Sequence, residues 1–277
     1  MRIGFIGLGN QGEPIARRML DQGGQLAIWA RRPQSLAPFD GTAATVAASP
    51  RELGETCDHV GVCVAFDADV RQVVAGEGGL LDGMKPGSVI AIHATTAPQT
   101  VIDLEAAARA RGVHLLDAPV SGGPAGARAG TMTVMVGGSA EALELARPAF
   151  EMFATSVPHL GAVGAGQVMK LLNNNLCYAN VALAVSALEI ARDLGVDPDR
   201  AAEIMRISSG ASNGLNIVAD PVVLAKATGP TSNIRKDASH FQALVKAAGL
   251  ESAAMALTAN TAADAVEAWA RSKPPAA

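Results

Sequence analysis

The stretch Arg2-Ile3-Gly4-Phe5-Ile6-Gly7-Leu8-Gly9-Asn10-Gln11-Gly12-Glu13-Pro14-Ile15-Ala16-Arg17-Arg18-Met19-Leu20 decides the fold. Residues 2–6 form the kind of short apolar run that makes a buried parallel strand. Residues 13–20 have helical spacing, with Pro14 tolerated in the first turn. Between them glycine recurs as G-x-G-x-x-G. Gly7 allows a tight turn, Gly9 lets the backbone approach a pyrophosphate, and Gly12 lets the helix pack closely on the strand. Gly7, Leu8, Gly9, Asn10, Gln11 and Gly12 are therefore candidate cofactor-binding residues at a helix N-terminus, where N–H groups and the dipole favour phosphate. The same spacing also occurs in ordinary glycine-rich turns. The strand before it and the helix after it supply the context that dinucleotide binding requires.

Residues 26–29 read as the second strand, and its end is where an Asp or Glu holds the adenosine ribose of NAD. This chain has Ala30, Arg31, Arg32 and Pro33 there. A guanidinium forks onto phosphate and stacks on adenine, so Arg31 and Arg32 favour NADP, with NAD as the alternative. The competing reading is an arginine that merely solvates a loop.

With 277 residues the chain can form one large or two ordinary domains with substantial cores. A net charge of −4 argues against a general surface for nucleic acid or anionic membrane. One Tyr and two Trp leave little aromatic material for base stacking. The chain enters its first strand at once, without a signal-peptide pattern. Residues 176–191 are apolar but interrupted by Asn180, Ser186 and Glu189, as in a buried helix rather than a membrane span. Cys57, Cys63 and Cys177 make no disulfide framework, which fits a reduced, cytoplasmic protein. Cys57, His59 and Cys63 run into an alternating apolar segment that serves a strand better than a metal.

Strand and helix patterns alternate over residues 1–160. Strands are expected at residues 60–64, 88–92, 114–116 and 131–136. Helices are expected at 70–74, 100–111 and 139–150, the last capped by Ser139. That alternation implies an α/β fold with a doubly wound, mostly parallel sheet of the Rossmann type. Residues 161–277 change character. Residues 164–194 contain no proline and carry apolar residues at helical spacing, giving a helix roughly 45 Å long. It is apolar on much of its circumference, so a second copy is expected to pack on it as a homodimer or homotetramer. Gly195-Val196-Asp197-Pro198 ends it, and the domain is expected to be all-helical up to the frayed tail Lys273-Pro274-Pro275-Ala276-Ala277.

Two further motifs carry chemistry. Asp117-Ala118-Pro119-Val120-Ser121-Gly122-Gly123 follows a parallel strand at the carboxyl end of the sheet, where such sheets bind ligands. The Ser121 hydroxyl and the N–H groups of Gly122 and Gly123 suit a carboxylate, although such a loop can equally be a plain turn. In Gly164-Ala165-Gly166-Gln167-Val168-Met169-Lys170-Leu171-Leu172-Asn173-Asn174, Lys170 and Asn174 lie four apart and share a helix face. A lysine among apolar neighbours can be desolvated and act as acid or base. It can equally snorkel to solvent, and spacing alone does not choose between the two.

In combination, Phe5 to Pro14, Asp117 to Gly123, Gly164 to Asn174 and Lys236-Asp237 resemble the β-hydroxyacid dehydrogenase family, relatives of 3-hydroxyisobutyrate dehydrogenase. The resemblance covers nearly the whole chain, with the motifs in the family's order. It implies that Ser121, Gly122 and Gly123 bind the carboxylate of a small-molecule substrate, a short β-hydroxy acid or its semialdehyde. Lys170 would be the general acid and base, and Asn174 would hold the substrate and orient Lys170. Lys236 would reach toward cofactor and substrate, with Asp237 structural. Thr95 would face the nicotinamide, and Ala65 would lie on the cofactor loop.

This chain also departs from the family pattern. Ile92 and Ala94 replace an Asp and a Ser before Thr95, and Ala65-Phe66-Asp67 replaces a Leu-Pro-Asp type loop, which puts a ring near the cofactor. Residues Thr231-Ser232-Asn233-Ile234 lack a phenylalanine often found there. These departures bear on the substrate more than on the reaction. An imine reductase shares the architecture but usually has Asp or Tyr in place of Lys170. A non-catalytic dinucleotide-binding module is expected to have lost the lysine.

Overall fold

The protein is described by a computed structural model over residues 1–228, 233–251, 253–259 and 261–272. Thr231, Ser232 and the tail 273–277 lie outside the described residues. Two compact units emerge, Met1–Lys170 and Leu171–Ala277. The expected boundary at residue 160 precedes the long helix, whereas these units part within it.

In the first unit six strands form one all-parallel sheet in the order β3-β2-β1-β4-β5-β6. They are β1 (Arg2–Ile6), β2 (Gln25–Trp29), β3 (Thr45–Val46), β4 (His59–Val62), β5 (Val89–Ile92) and β6 (His114–Asp117). β1 is central, with Phe5 opposite Ile28 on one side and Gly61 on the other. Alternate side chains enter opposite faces, as the pleat requires. Ile3, Phe5, Val89 and Ala91 pack with α1 (Gly12–Asp21) and α6 (Ala140–Phe150). Ile6, Val62, Ile90 and Ile92 pack with α2 (Pro50–Thr56), α3 (Asp67–Ala75) and α4 (Pro98–Arg109). Apolar residues on both faces explain why these strands read as near-continuous hydrophobic runs.

Several expected elements shift; the helix expected at 70–74, for one, is the longer Asp67–Ala75. β4 ends at Val62 rather than Val64; past it the Cys63 N–H still bonds Ile6 O at 2.8 Å, and the backbone of Cys63 and Val64 passes close to Gly7. α4 begins two residues early, at Pro98, which fits the first helical turn. The segment 131–136 leaves the main sheet. Only Met132–Val134 is strand (β8), between β7 (Val120–Ser121) and β9 (Ala154–Ser156) in a separate three-stranded sheet. The glycine-rich segment after Ser121 does not stay a loop, since Gly123–Ala129 forms α5. Ser139 does cap α6, its Oγ accepting the Ala142 N–H at 3.1 Å.

α7 (Ala165–Asp193) is a single 29-residue helix. Gly195, at φ 81°, follows its end. Asp197 then caps α8 (Pro198–Arg206), accepting the N–H groups of Asp199 and Arg200. The second unit continues with α9 (Asn213–Ala219), α10 (Pro221–Thr228), α11 (Ile234–Ala247), α12 (Ala254–Ala259) and α13 (Ala262–Ser272). Val181, Val185, Leu188, Leu215 and Trp269 are among its buried core residues.

Candidate active site

The glycine loop joins β1 to α1. Gly7 has φ 96°, which only glycine adopts without strain, and a Cβ there would overlap the carbonyl of Cys63. A Cβ on Gly12 would overlap the Gly7 carbonyl, so helix and strand approach as closely as the spacing predicts. At Gly9 a Cβ would meet no atom within 4 Å. This open cradle, beside the first turn of α1, fits the pyrophosphate of a dinucleotide. Leu8 is buried in the core, so only its backbone is available to a ligand. Asn10 is exposed, and the half-buried Gln11 points Nε2 toward Met132 Sδ at 3.9 Å.

Arg31 and Arg32 are both exposed just past β2. Arg31 is engaged by a carboxylate that sequence spacing does not reveal, its Nη1 lying 2.8 Å from Asp69 Oδ1 on α3. Ala65 and Phe66 are exposed in the loop after β4. Asp67 ties that loop to α4, accepting the Ala97 N–H at 3.0 Å and the Thr100 hydroxyl at 2.7 Å.

Ser121 is half-buried at the end of β7, paired with Thr133. Gly122 and Gly123 have φ of 127° and 62°, backbone that side-chain-bearing residues rarely adopt. A Cβ on Gly123 would meet nothing within 4 Å.

The residues joining these loops to α7 are Asp117, Gly166 and Gln167. Asp117, the fully buried last residue of β6, accepts the Gly164 N–H through Oδ1 at 2.8 Å and the Gln167 N–H through Oδ2 at 2.7 Å. It thus caps the start of α7 from a distance, with a carboxylate at the positive end of the dipole. Burial pushes its carboxyl above the usual range, and the backbone N–H groups of Gly164, Gln167, Asp117 and Gly166 pull it back. A Cβ on Gly166 would overlap the Met135 carbonyl and come within 2.9 Å of Asp117 Oδ2, so glycine permits this approach. Gln167, also fully buried, accepts the Thr96 N–H at 3.0 Å and donates Nε2–H to Ala94 O at 2.8 Å. Thr95 lies half-buried between those two anchors. Lys170 follows one turn later on α7 and is half-buried. Asp117 was legible as part of a motif but not as a cap. Gln167 gave no signal in sequence beyond its place in the lysine motif.

In the second unit Asp237 organises the residues named from sequence. It is buried, accepting the Asn174 Nδ2–H at 2.8 Å and the Tyr178 hydroxyl at 3.0 Å, with Lys236 Nζ 3.6 Å from its Oδ1. Burial, then the Asp237 charge, pushes the Tyr178 phenol far up, so it remains a donor. Asn174 is therefore held by its nitrogen.

The parallel sheet and the glycine cradle define a dinucleotide-binding protein of the Rossmann type. Residues 2–161 match the NAD binding domain of 6-phosphogluconate dehydrogenase, and residues 164–273 the NAD-binding region of NADP-dependent 3-hydroxyisobutyrate dehydrogenase. The chain belongs to the β-hydroxyacid dehydrogenase family. It is 39% identical to the NAD-dependent L-serine dehydrogenase of Pseudomonas aeruginosa, over 78% of this chain and 72% of that one. Against the 3-hydroxyisobutyrate dehydrogenase of the same organism the identity is 36%, with the same coverage. A crystal structure of 3-hydroxyisobutyrate dehydrogenase from Salmonella typhimurium superposes with a TM-score of 0.83 at 28% identity, covering 97% of this chain and 93% of that one.

Proposed function

We propose that this dehydrogenase prefers NADP(H) and interconverts a short β-hydroxy acid and its semialdehyde, with Lys170 as the acid–base group. One observation carries the reading. Asp117 leads by chain into the Ser121-Gly122-Gly123 segment and by hydrogen bonds fixes the helix bearing Lys170. A carboxylate held at the first would leave its β-carbon oxygen for the second.

When bound, the nicotinamide would take a hydride from the carbinol carbon in oxidation and return one to the carbonyl carbon in reduction. The protein's part is binding and proton management. Gly7 to Gly12 would hold the pyrophosphate, and Thr95 and Ala65 would line the cofactor loops. The Ser121 hydroxyl and the Gly122 and Gly123 N–H groups would hold the substrate carboxylate. Lys170, neutral, would take the hydroxyl proton during oxidation and, as ammonium, return it to the carbonyl oxygen during reduction. Asn174 would hold the substrate, and Lys236 would reach toward cofactor and substrate, both on the family resemblance.

The relatives named for L-serine and for 3-hydroxyisobutyrate suggest a 3-hydroxypropionate substituted at C2. Those two compounds differ there by amine against methyl. With Arg31 engaged by Asp69, Arg32 is the guanidinium we assign to the 2′-phosphate.

The test is a panel of β-hydroxy acids, semialdehydes and cyclic imines with both cofactors, run on wild type and Lys170→Ala. The variant should bind cofactor normally and lose roughly 10²–10⁴ in turnover. Near-normal turnover in it, or turnover of imines alone, would overturn the reading.

Met169, Leu172, Leu176, Leu183 and Ile190 leave an apolar stripe on α7 that is 39–60% exposed, which we assign to pairing with a second copy. Light scattering should show a dimer or tetramer that Leu183→Glu with Ile190→Glu dissociates; a monomeric wild type would refute it. We assign the protein to the cytoplasm on its cysteine usage, and recovery from an exported fraction would count against this. Among the described residues no helix is long and apolar enough to cross a membrane.

A further inference from the structure

We propose that Gln167 is a positioning residue that fixes the loop carrying Thr95, and with it the nicotinamide half of the dinucleotide, against the helix carrying Lys170. The inference rests on the acid–base reading of Lys170 and adds what sets its distance from the cofactor.

Three observations converge. The Gln167 amide uses both of its ends on one short segment, accepting from Thr96 N and donating to Ala94 O, so the peptide units on either side of Thr95 are pinned by one side chain. That segment leaves the carboxyl end of β5. In this strand order the glycine loop and β2 serve the adenosine half, so the ends of β4 and β5 remain for the other nucleotide half. The clamp is also anchored at its own root, because the Gln167 backbone N–H is held by Asp117. The chain β5 loop–Gln167–α7 therefore has no exposed joint. All of these groups are buried, so water does not substitute for a lost bond, and a side chain that breaks the clamp leaves orphaned backbone groups. An amide supplies donor and acceptor in this fork without a charge at any pH, whereas a carboxyl does so only while protonated.

Gln167→Leu and Gln167→Glu test the proposal, read by binding and by turnover. NADP+ is compared with 2′-phospho-ADP-ribose, which lacks only the nicotinamide. Gln167→Leu should bind the fragment as wild type does, lose the extra affinity that the nicotinamide contributes, and lose about 10²-fold in kcat, as misplaced reacting groups do. Gln167→Glu keeps the shape. Protonated, it still donates to Ala94 O; ionised, it opposes that carbonyl with a negative oxygen. Its NADP+ affinity relative to the fragment should fall with rising pH, a dependence absent from wild type. Wild-type kcat and wild-type affinity ratio in Gln167→Leu, or a wild-type pH profile in Gln167→Glu, overturns the proposal. If Gln167→Leu does not fold, Gln167→Glu decides by its pH profile. If Lys170→Ala stays active the acid–base reading fails, while the nicotinamide affinity ratio, which involves no proton transfer, still reports on the clamp.

Discussion

Asp117 Oδ2 accepts the backbone N–H of Gln167 at 2.7 Å, so a carboxylate at the end of a parallel strand caps a helix that begins 48 residues later in the chain. One buried side chain thereby sets where the Lys170 helix starts relative to the sheet.

Asp117→Asn keeps the size but has one acceptor for two N–H groups and turns an NH2 toward the other. Bonds to charged groups contribute about 1.5–3 kcal/mol each, so a loss of roughly 2–3 kcal/mol is expected. Urea denaturation checks it, and an unchanged midpoint would remove Asp117 as the cap.

Gly9→Ala and Gly12→Ala should fail differently. The new methyl at Gly12 overlaps the Gly7 carbonyl, and overpacking costs about 1–3 kcal/mol, so the chain should melt early. At Gly9 the methyl meets no protein atom within 4 Å, so stability should hold while dinucleotide affinity falls. Thermal melts beside cofactor titrations separate the two. A Gly9→Ala protein with wild-type affinity would mean that the cradle is not used.

Cofactor choice should follow Arg32, which pairs with no carboxylate among the described residues, rather than Arg31, which pairs with Asp69. Arg32→Ala is expected to weaken NADP about tenfold and leave NAD nearly unchanged, the loss of one charged contact. Asp69→Asn releases Arg31 and should strengthen NADP. Dissociation constants for both cofactors decide; equal losses for NAD and NADP would detach these residues from the 2′-phosphate.

Acid should weaken the fold through two imidazoles in the sheet core. His59 and His93 each lie edge-on to Phe150, at 5.7 and 5.8 Å between centroids. Burial, then the neighbouring His93, lowers the His59 pKa to about 3, and burial lowers that of His93 to about 4 despite its bond with Ala118 O. The unfolded chain protonates both near 6.5, so it binds the extra protons. Stabilisation is therefore complete above that pH and is lost as pH falls toward the folded values, by up to about 1.4 kcal/mol per unit for each histidine. In denaturation series from about pH 7 to about pH 4.5, His59→Leu should gain on wild type by that slope. Parallel profiles would show that His59 does not carry it.

The glycine loop was legible because each glycine answers to a local demand. Gly7 needs a positive φ and Gly12 a missing Cβ, and a five-residue strand and a ten-residue helix frame them. α7 was legible from its uninterrupted periodicity. Residues 131–136 alternate like a strand of the main sheet, but alternation reports that a face is buried, not which sheet buries it, and Met132–Val134 pairs in the smaller one. The pairing of Asp69 with Arg31 has no local signature because it spans 38 residues.

The sequence by itself determined the parallel sheet, the dinucleotide cradle and the motif that contains Lys170, since these depend on spacing, backbone freedom and apolar periodicity. Only the tertiary structure decided that Asp117 caps α7, that Gln167 pins both sides of Thr95 and that Arg31 is engaged by Asp69. The reason is physical. Each of these is a hydrogen bond or ion pair between segments 38 to 73 residues apart, and such partners are chosen by how strands and helices pack, which no local pattern encodes.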